Sequence, residues 1–156
     1  NILVAERNVA HRIIEEFMLV ANETVAAYLE EHDVPTMYRV HEAPDLLKVE
    51  QFEEFITTLG YTLSAPMNTV KPRHFQKLVE KLRGKPEERP IATLMLRTMQ
   101  KARYDTACLG HFGLAADAYT HFTSPIRRYP DLIVHRTLRE YRHGKLNDAL
   151  YEERVE

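Results

Sequence analysis

The run Tyr119-Thr120-His121-Phe122-Thr123-Ser124-Pro125-Ile126-Arg127-Arg128-Tyr129-Pro130-Asp131-Leu132-Ile133-Val134-His135-Arg136 concentrates the side chains best suited to chemistry on a phosphate. Two adjacent arginines stand between prolines five positions apart. Each proline fixes its own φ and restricts the residue before it, so the backbone here has few choices. A guanidinium is always charged, and its planar fork matches two phosphate oxygens. A restrained loop carrying that fork would hold positive charge in place before an anion arrives. Ser124 and Thr123 could bond a phosphate or cap the next helical turn, and the aromatic residues could stack on bases. A second reading stays open: Arg127 and Arg128 could pair with acids such as Asp131, as surface ion pairs commonly do.

Other constellations are weaker. Eight histidines are present without H-E-x-x-H or a comparable ligand spacing. Ser124 lacks the G-x-S-x-G context of a nucleophile elbow, and neither G-x-x-x-x-G-K-[ST] nor G-x-G-x-x-G occurs. The six aspartates, at 33, 45, 105, 117, 131 and 148, are scattered, with no two within ten positions. Cys108 is the only cysteine, so neither an intrachain disulfide nor a thiolate metal cluster can form; a small buried hydrophobe is expected. A cytosolic origin fits.

The elements that must position the arginines are mostly helical. Periodicity predicts a helix over 9–31, with Ile14, Met18, Ala21, Val25 and Leu29 forming one apolar stripe and Glu15 and Asn22 sharing a face beside it. Residues 37–41 read as a short strand. A second helix runs from about Pro44-Asp45 to Leu59, with Leu47, Phe52, Phe55, Ile56 and Leu59 inward and Gly60 as its stop. Residues 61–70 read as a strand or loop, and Ile2-Leu3-Val4 as the end of a strand. Helices are expected over 72–82, with Phe75, Leu78, Val79 and Leu82 inward, and over 86–102, with Ile91, Leu94, Met95, Thr98 and Met99 inward. Glycines and prolines break the pattern from 104 to 130, and a last helix follows from Pro130 to His143. Short connections suggest one compact, helix-rich α+β unit spanning residues 1–156.

The formal net charge of −2 argues against a polyanionic partner, but the distribution is uneven. Residues 1–60 carry −8, residues 61–146 carry +9 and the last ten carry −3. Such asymmetry could turn a basic face towards a polyanion, or it could solvate opposite faces of several helices. Apolar runs fall short of a membrane span, and the start lacks the basic and apolar regions of a signal peptide. Both ends read as cut from a longer chain.

The run from His121 to Arg136 is similar to the signature of the ribonuclease II/ribonuclease R family, more to its bacterial ribonuclease R branch than to ribonuclease II. Ile14-Glu15-Glu16-Phe17-Met18-Leu19-Val20-Ala21-Asn22-Glu23, Tyr38-Arg39-Val40-His41-Glu42, Leu94-Met95-Leu96-Arg97 and Leu109-Gly110-His111-Phe112-Gly113-Leu114 resemble the same family in the same order. The resemblance implies the C-terminal part of an RNB catalytic domain. It implies a processive, hydrolytic exoribonuclease that removes nucleoside 5′-monophosphates from the 3′ end of single-stranded RNA. It further implies Mg²⁺ held by clustered aspartates, which this chain lacks, and flanking RNA-binding domains of cold-shock and S1 type. Arg127 matches the family's catalytic arginine. Arg128, Ser124, Tyr119 and His121 would line the RNA channel. Glu15 or Glu16 falls on a helix near the 3′-terminal nucleotide, and which of them points inward stays open. A rival of another class is a non-catalytic RNA-binding module of the same fold. Four aspartates within about ten residues upstream would decide for the enzyme, a spacing that follows from the resemblance and suits Mg²⁺ coordination.

Overall fold

The computed structural model describes residues 8–63 and 70–146. The strand expected at Ile2-Leu3-Val4 and most of the segment 61–70 lie outside the described residues. The elements run α1 (Val9–Glu31), β1 (Tyr38–Val40), α2 (Leu46–Thr58), α3 (Pro72–Leu82), α4 (Glu88–Thr98), β2 (Arg103–Asp105), a 3₁₀ turn (Phe112–Leu114) and α5 (Tyr129–Arg142). The result is a helix-rich α+β fold in which β1 pairs with β2.

Where short connections suggest one compact unit, the contacts gather into two. Among described residues the first holds 8–39, 104–108 and 117–146, and the second holds 40–63, 70–103 and 109–116. The second is built on apolar periodicity. Val49, Phe52 and Ile56 of α2, Phe75, Leu78 and Leu82 of α3, and Ile91 of α4 form its buried cluster with Leu63, and Leu94, Met95, Met99 and Phe112 pack around them. Asp45 caps α2, its Oδ1 accepting from the amides of Leu47 and Lys48. The first unit has a smaller cluster of Leu29, Val34 and Val134, with Val25, Phe122, Leu138 and Tyr141 against it.

Several expectations need correction. The buried residues of α1 are Asn22, Ala26 and Leu29, so the expected Ile14–Met18–Ala21–Val25–Leu29 stripe is inward at Leu29, with Val25 packed beside it, while nearer the loop the inward position falls to Asn22. Ile14 and Met18 are exposed. The reason lies in what α1 packs against: a loop with free backbone amides, which draws a polar side chain inward in place of an apolar one. In α2, Val49 is buried, while Leu47, Phe55 and Leu59 are exposed. α4 ends at Thr98 instead of 102, because the chain turns extended at Met99 to reach β2. Neither β2 nor the 3₁₀ turn was legible in local patterns. Cys108 is half-buried, with Sγ 3.7 Å from the Asp117 carbonyl, and not the core hydrophobe expected.

Candidate functional site

The first unit contains a cavity of about 280 Å³ lined by Glu15, Glu16, Met18, Leu19, Asn22, Tyr119, Thr123, Ser124, Arg127 and Arg128. One wall is the inward face of α1. The other is the loop that leads into α5. Six of the seven residues singled out from sequence therefore meet in one place: Arg127, Arg128, Ser124, Tyr119, Glu15 and Glu16. His121 is the exception, sitting half-buried just behind the loop. Both glutamates reach the cavity, with Glu15 half-buried and Glu16 exposed.

The loop is fixed by buried polar groups. Asn22 is 3% exposed, and its Oδ1 accepts from the amides of Phe122 (3.0 Å) and Thr123 (3.2 Å), while its Nδ2 donates to the Tyr119 hydroxyl (2.9 Å). Asp131, fully buried, takes the next amide: Ser124 N–H donates to its Oδ1 at 2.7 Å. Three consecutive amides are thus held by two side chains. Behind them, Thr120 Oγ1 donates to the Met37 carbonyl (2.6 Å), Arg39 N–H donates to the Tyr119 carbonyl (2.8 Å), and His135 Nε2 donates to the Phe122 carbonyl (2.9 Å) with its ring stacked on Phe122. The Ser124 carbonyl accepts from the amides of Arg127 and Arg128, closing a single turn before α5. α5 begins at Tyr129 with Pro130 in its first turn, where a missing N–H costs little. Neither Ser124 nor Thr123 caps it; the N-cap is Arg128, without a side-chain cap bond.

This framework separates the two arginines. Arg128 Nη2 donates to Asp131 Oδ1 at 2.8 Å, so the ion-pair reading holds for Arg128. Arg127 is exposed, and among the described residues its guanidinium makes no hydrogen bond or ion pair. Beside it Ile126 is 97% exposed at the loop's tip. Among the described residues Arg127 is consequently a positive group without a partner, on a loop held by hydrogen bonds from α1 and α5.

His121 shows the electrostatics of the surroundings. Burial and then the Arg128 guanidinium lower its pKa from the usual 6.5 to about 4. The ring is neutral near pH 7, and the Tyr104 hydroxyl can donate to its Nδ1 at 2.7 Å. Tyr104 is itself pushed up by burial, against the Arg39 guanidinium, which lies 4.9 Å from its ring centroid. His121 thus forms part of the loop's support. Tyr119, 5% exposed, likewise offers a wall rather than an open stacking face.

Sequence reading missed the part played by Asn22 and, beyond the Arg128 pairing, the hold of Asp131 on the Ser124 amide. A signal existed for Asn22: it interrupts the otherwise apolar face that continues to Ala26 and Leu29. For Asp131 the signal was its i,i+3 spacing from Arg128. Among the described residues no three His, Cys, Asp or Glu side chains come together to hold a metal ion. Also among the described residues, no helix is long and apolar enough to cross a membrane.

Comparison with known proteins places this geometry. Ribonuclease R of Aquifex aeolicus is 53% identical over 140 residues, covering 90% of this chain and 20% of the relative. The chain therefore spans about a fifth of that relative's length. Mycoplasma genitalium RNase R, solved in complex with ribose methylated single-stranded RNA, superposes with a TM-score of 0.86 at 33% identity, over 96% of this chain and 24% of that one. Yeast Ssd1, a pseudonuclease, superposes with a TM-score of 0.77 at 30% identity, over 91% of this chain and 18% of that one. The RNB domain model matches residues 1–144, which takes in the α1 face, the arginine loop and both compact units, and the chain accordingly belongs to the RNB domain family.

Proposed function

We propose that the chain is the C-terminal, arginine-bearing part of the catalytic domain of a processive, hydrolytic 3′-to-5′ exoribonuclease acting on single-stranded RNA. Water would add to the phosphorus of the last phosphodiester, the P–O3′ bond would break, and a nucleoside 5′-monophosphate would leave. The observation that carries this reading is Arg127: a guanidinium unpaired among the described residues, on a loop whose amides at Phe122, Thr123 and Ser124 are held by buried Asn22 and Asp131. Relatives that are ribonucleases, one of them solved with single-stranded RNA, support it.

Attack at phosphorus concentrates negative charge on the non-bridging oxygens. A cation fixed beside them beforehand binds the transition state better than the ground state. Arg127 fills that role. Arg128, engaged with Asp131, acts mainly by holding the loop, with Ser124 and Tyr119 completing the wall. Glu15 and Glu16 face the terminal nucleotide across the cavity, with His121 behind the loop.

The aspartates that hold magnesium belong to the remainder of the parent domain, together with flanking RNA-binding domains, and the parent works in the cytoplasm. An exposed apolar face on α1, comprising Val9, Ile13, Phe17 and Val20, supports a chain covered there by the rest of its domain. On this reading the isolated chain does not cleave RNA. A second reading, a non-catalytic RNA-binding module, is favoured by the likeness to a pseudonuclease.

The test is Arg127→Ala in the parent enzyme. Loss of one pre-placed charge donor typically costs ~100- to 1000-fold in rate. Single-turnover cleavage should fall by that order while oligoribonucleotide affinity changes far less. Arg127→Lys should recover only part, because an ammonium lacks the two-pronged geometry. Near-wild-type single-turnover cleavage by Arg127→Ala would remove Arg127 from the reaction. A parent that binds RNA but releases no mononucleotide would favour the second reading.

A further inference from the structure

We propose that Asn22 is a positioning residue for Arg127: it locks the arginine loop onto α1 and so sets where the free guanidinium stands relative to Glu15 and Glu16. The proposal rests on the exoribonuclease reading above and adds a residue to it.

Asn22 is placed as few helical residues are. It is seven positions beyond Glu15, on the same face of α1, and that face lines the cavity. At 3% exposure it is nearly as buried as Ala26 and Leu29 farther along the helix, yet it is polar. A buried carboxamide is costly unless its groups are bonded. Here Nδ2 and both acceptor positions of Oδ1 are engaged, and all of their partners lie in the stretch 119–123. The bonds also fall at both ends of that stretch, at the Tyr119 hydroxyl and at the amides of Phe122 and Thr123. One side chain therefore fixes the approach to the loop as well as its entry, four residues before Arg127.

The chemistry of the three contacts explains why this position takes Asn. The two amides need an acceptor with two free lone pairs, and the phenol oxygen receives a donor from the same side chain. Leucine has a similar size and supplies none of this. Aspartate keeps both acceptor positions for the amides and gives up the donor to the Tyr119 hydroxyl. Asp131 holds the Ser124 amide from the α5 side, and Asn22 holds the amides of Phe122 and Thr123 from α1.

The experiment is a double-mutant cycle in the full-length parent enzyme with a single-stranded oligoribonucleotide. Wild type, Asn22→Leu, Arg127→Ala and the double variant are compared by single-turnover cleavage at saturating RNA, per folded molecule. A displacement of about 1 Å at a reacting group can cost ~100-fold. Asn22→Leu should lose about that factor in rate with little change in KM, and far less than that when Arg127 is already Ala. Asn22→Asp, which keeps the acceptor for both amides, should regain part of the loss, which a residue that merely filled space would not do. If Asn22→Leu does not fold, Asn22→Ser, which keeps polarity but lacks reach, is run through the same cycle. Equal loss in both Arg127 backgrounds, or no rescue by Asn22→Asp, overturns the positioning role while leaving the exoribonuclease reading intact. Full cleavage by Arg127→Ala overturns that reading first, and the positioning role with it.

Discussion

The second compact unit and the arginine loop of the first are held by different physics. The second, around Phe52, Leu78 and Ile91, is an apolar cluster on three amphipathic helices, and its geometry follows from side-chain volume. The arginine loop of the first is held by buried oxygens. Asn22, Thr120 and Asp131 each tie backbone or hydroxyl groups of neighbouring chain. Apolar packing tolerates small adjustments of direction, because dispersion and burial are non-directional. Hydrogen bonds at 2.6–3.2 Å are not so forgiving, and each unmade bond is costly. A unit that must only be stable can rely on the first kind of force. A loop that must hold one cation in one place calls for the second.

The contrast can be broken or sharpened by substitution, read as local hydrogen exchange in each unit together with stability. The largest effect should come from Phe52→Ala. Truncating a buried Phe typically costs ~3–5 kcal/mol, and protection should fall in α2, α3 and α4 while the amides of 122–124 keep theirs. Loss of protection in both units at once would show that they unfold as one, and would end the comparison. Arg128→Ala should cost less, about 1–3 kcal/mol, as a buried charged acceptor loses one of its partners. Arg128 is itself a quarter exposed, which tempers the figure. Its effect should be confined to the loop, with the Ser124 amide exchanging faster. An unchanged Ser124 amide would mean that Asp131 needs no cation to hold the turn.

The smallest effect is on pH. His121 titrates near 4 in the folded chain against the usual 6.5, so between those values the unfolded chain binds more protons. Stability from this group is therefore complete above about 6.5 and drains away as pH falls towards 4. His121→Gln cannot titrate, so the stability difference between wild type and variant should drift across that window and flatten outside it. A constant difference from pH 4 to 7 would show that the ring is not desolvated as its place behind the loop implies.

How much of this was legible in sequence depends on the force concerned. α3 stands where its periodicity put it, as do Phe75, Leu78 and Leu82. α1 has the expected bounds, and Leu29 is buried as expected, but its inward face passes through Asn22 and not Met18, because periodicity weighs apolar residues and cannot know that Asn22 will find two amides and a phenol. β2 was invisible, since three residues in a strand depend on pairing with β1, some sixty positions away.

For the site, the residue types in 119–136 and the restraint of Pro125 and Pro130 sufficed to mark the arginine loop and to connect the chain with its family. Residue type and spacing left Arg127 and Arg128 interchangeable, each able to meet phosphate or pair with Asp131, and only the family resemblance told them apart. The tertiary structure gives the physical difference. The turn closed on the Ser124 carbonyl and the start of α5 bring Arg128 within reach of the buried Asp131 and leave the Arg127 guanidinium exposed and, among the described residues, unpaired. Neighbours along a chain are identical to a motif, but a backbone turn points them in different directions, and direction decides which charge is neutralised inside the protein and which remains for an anion.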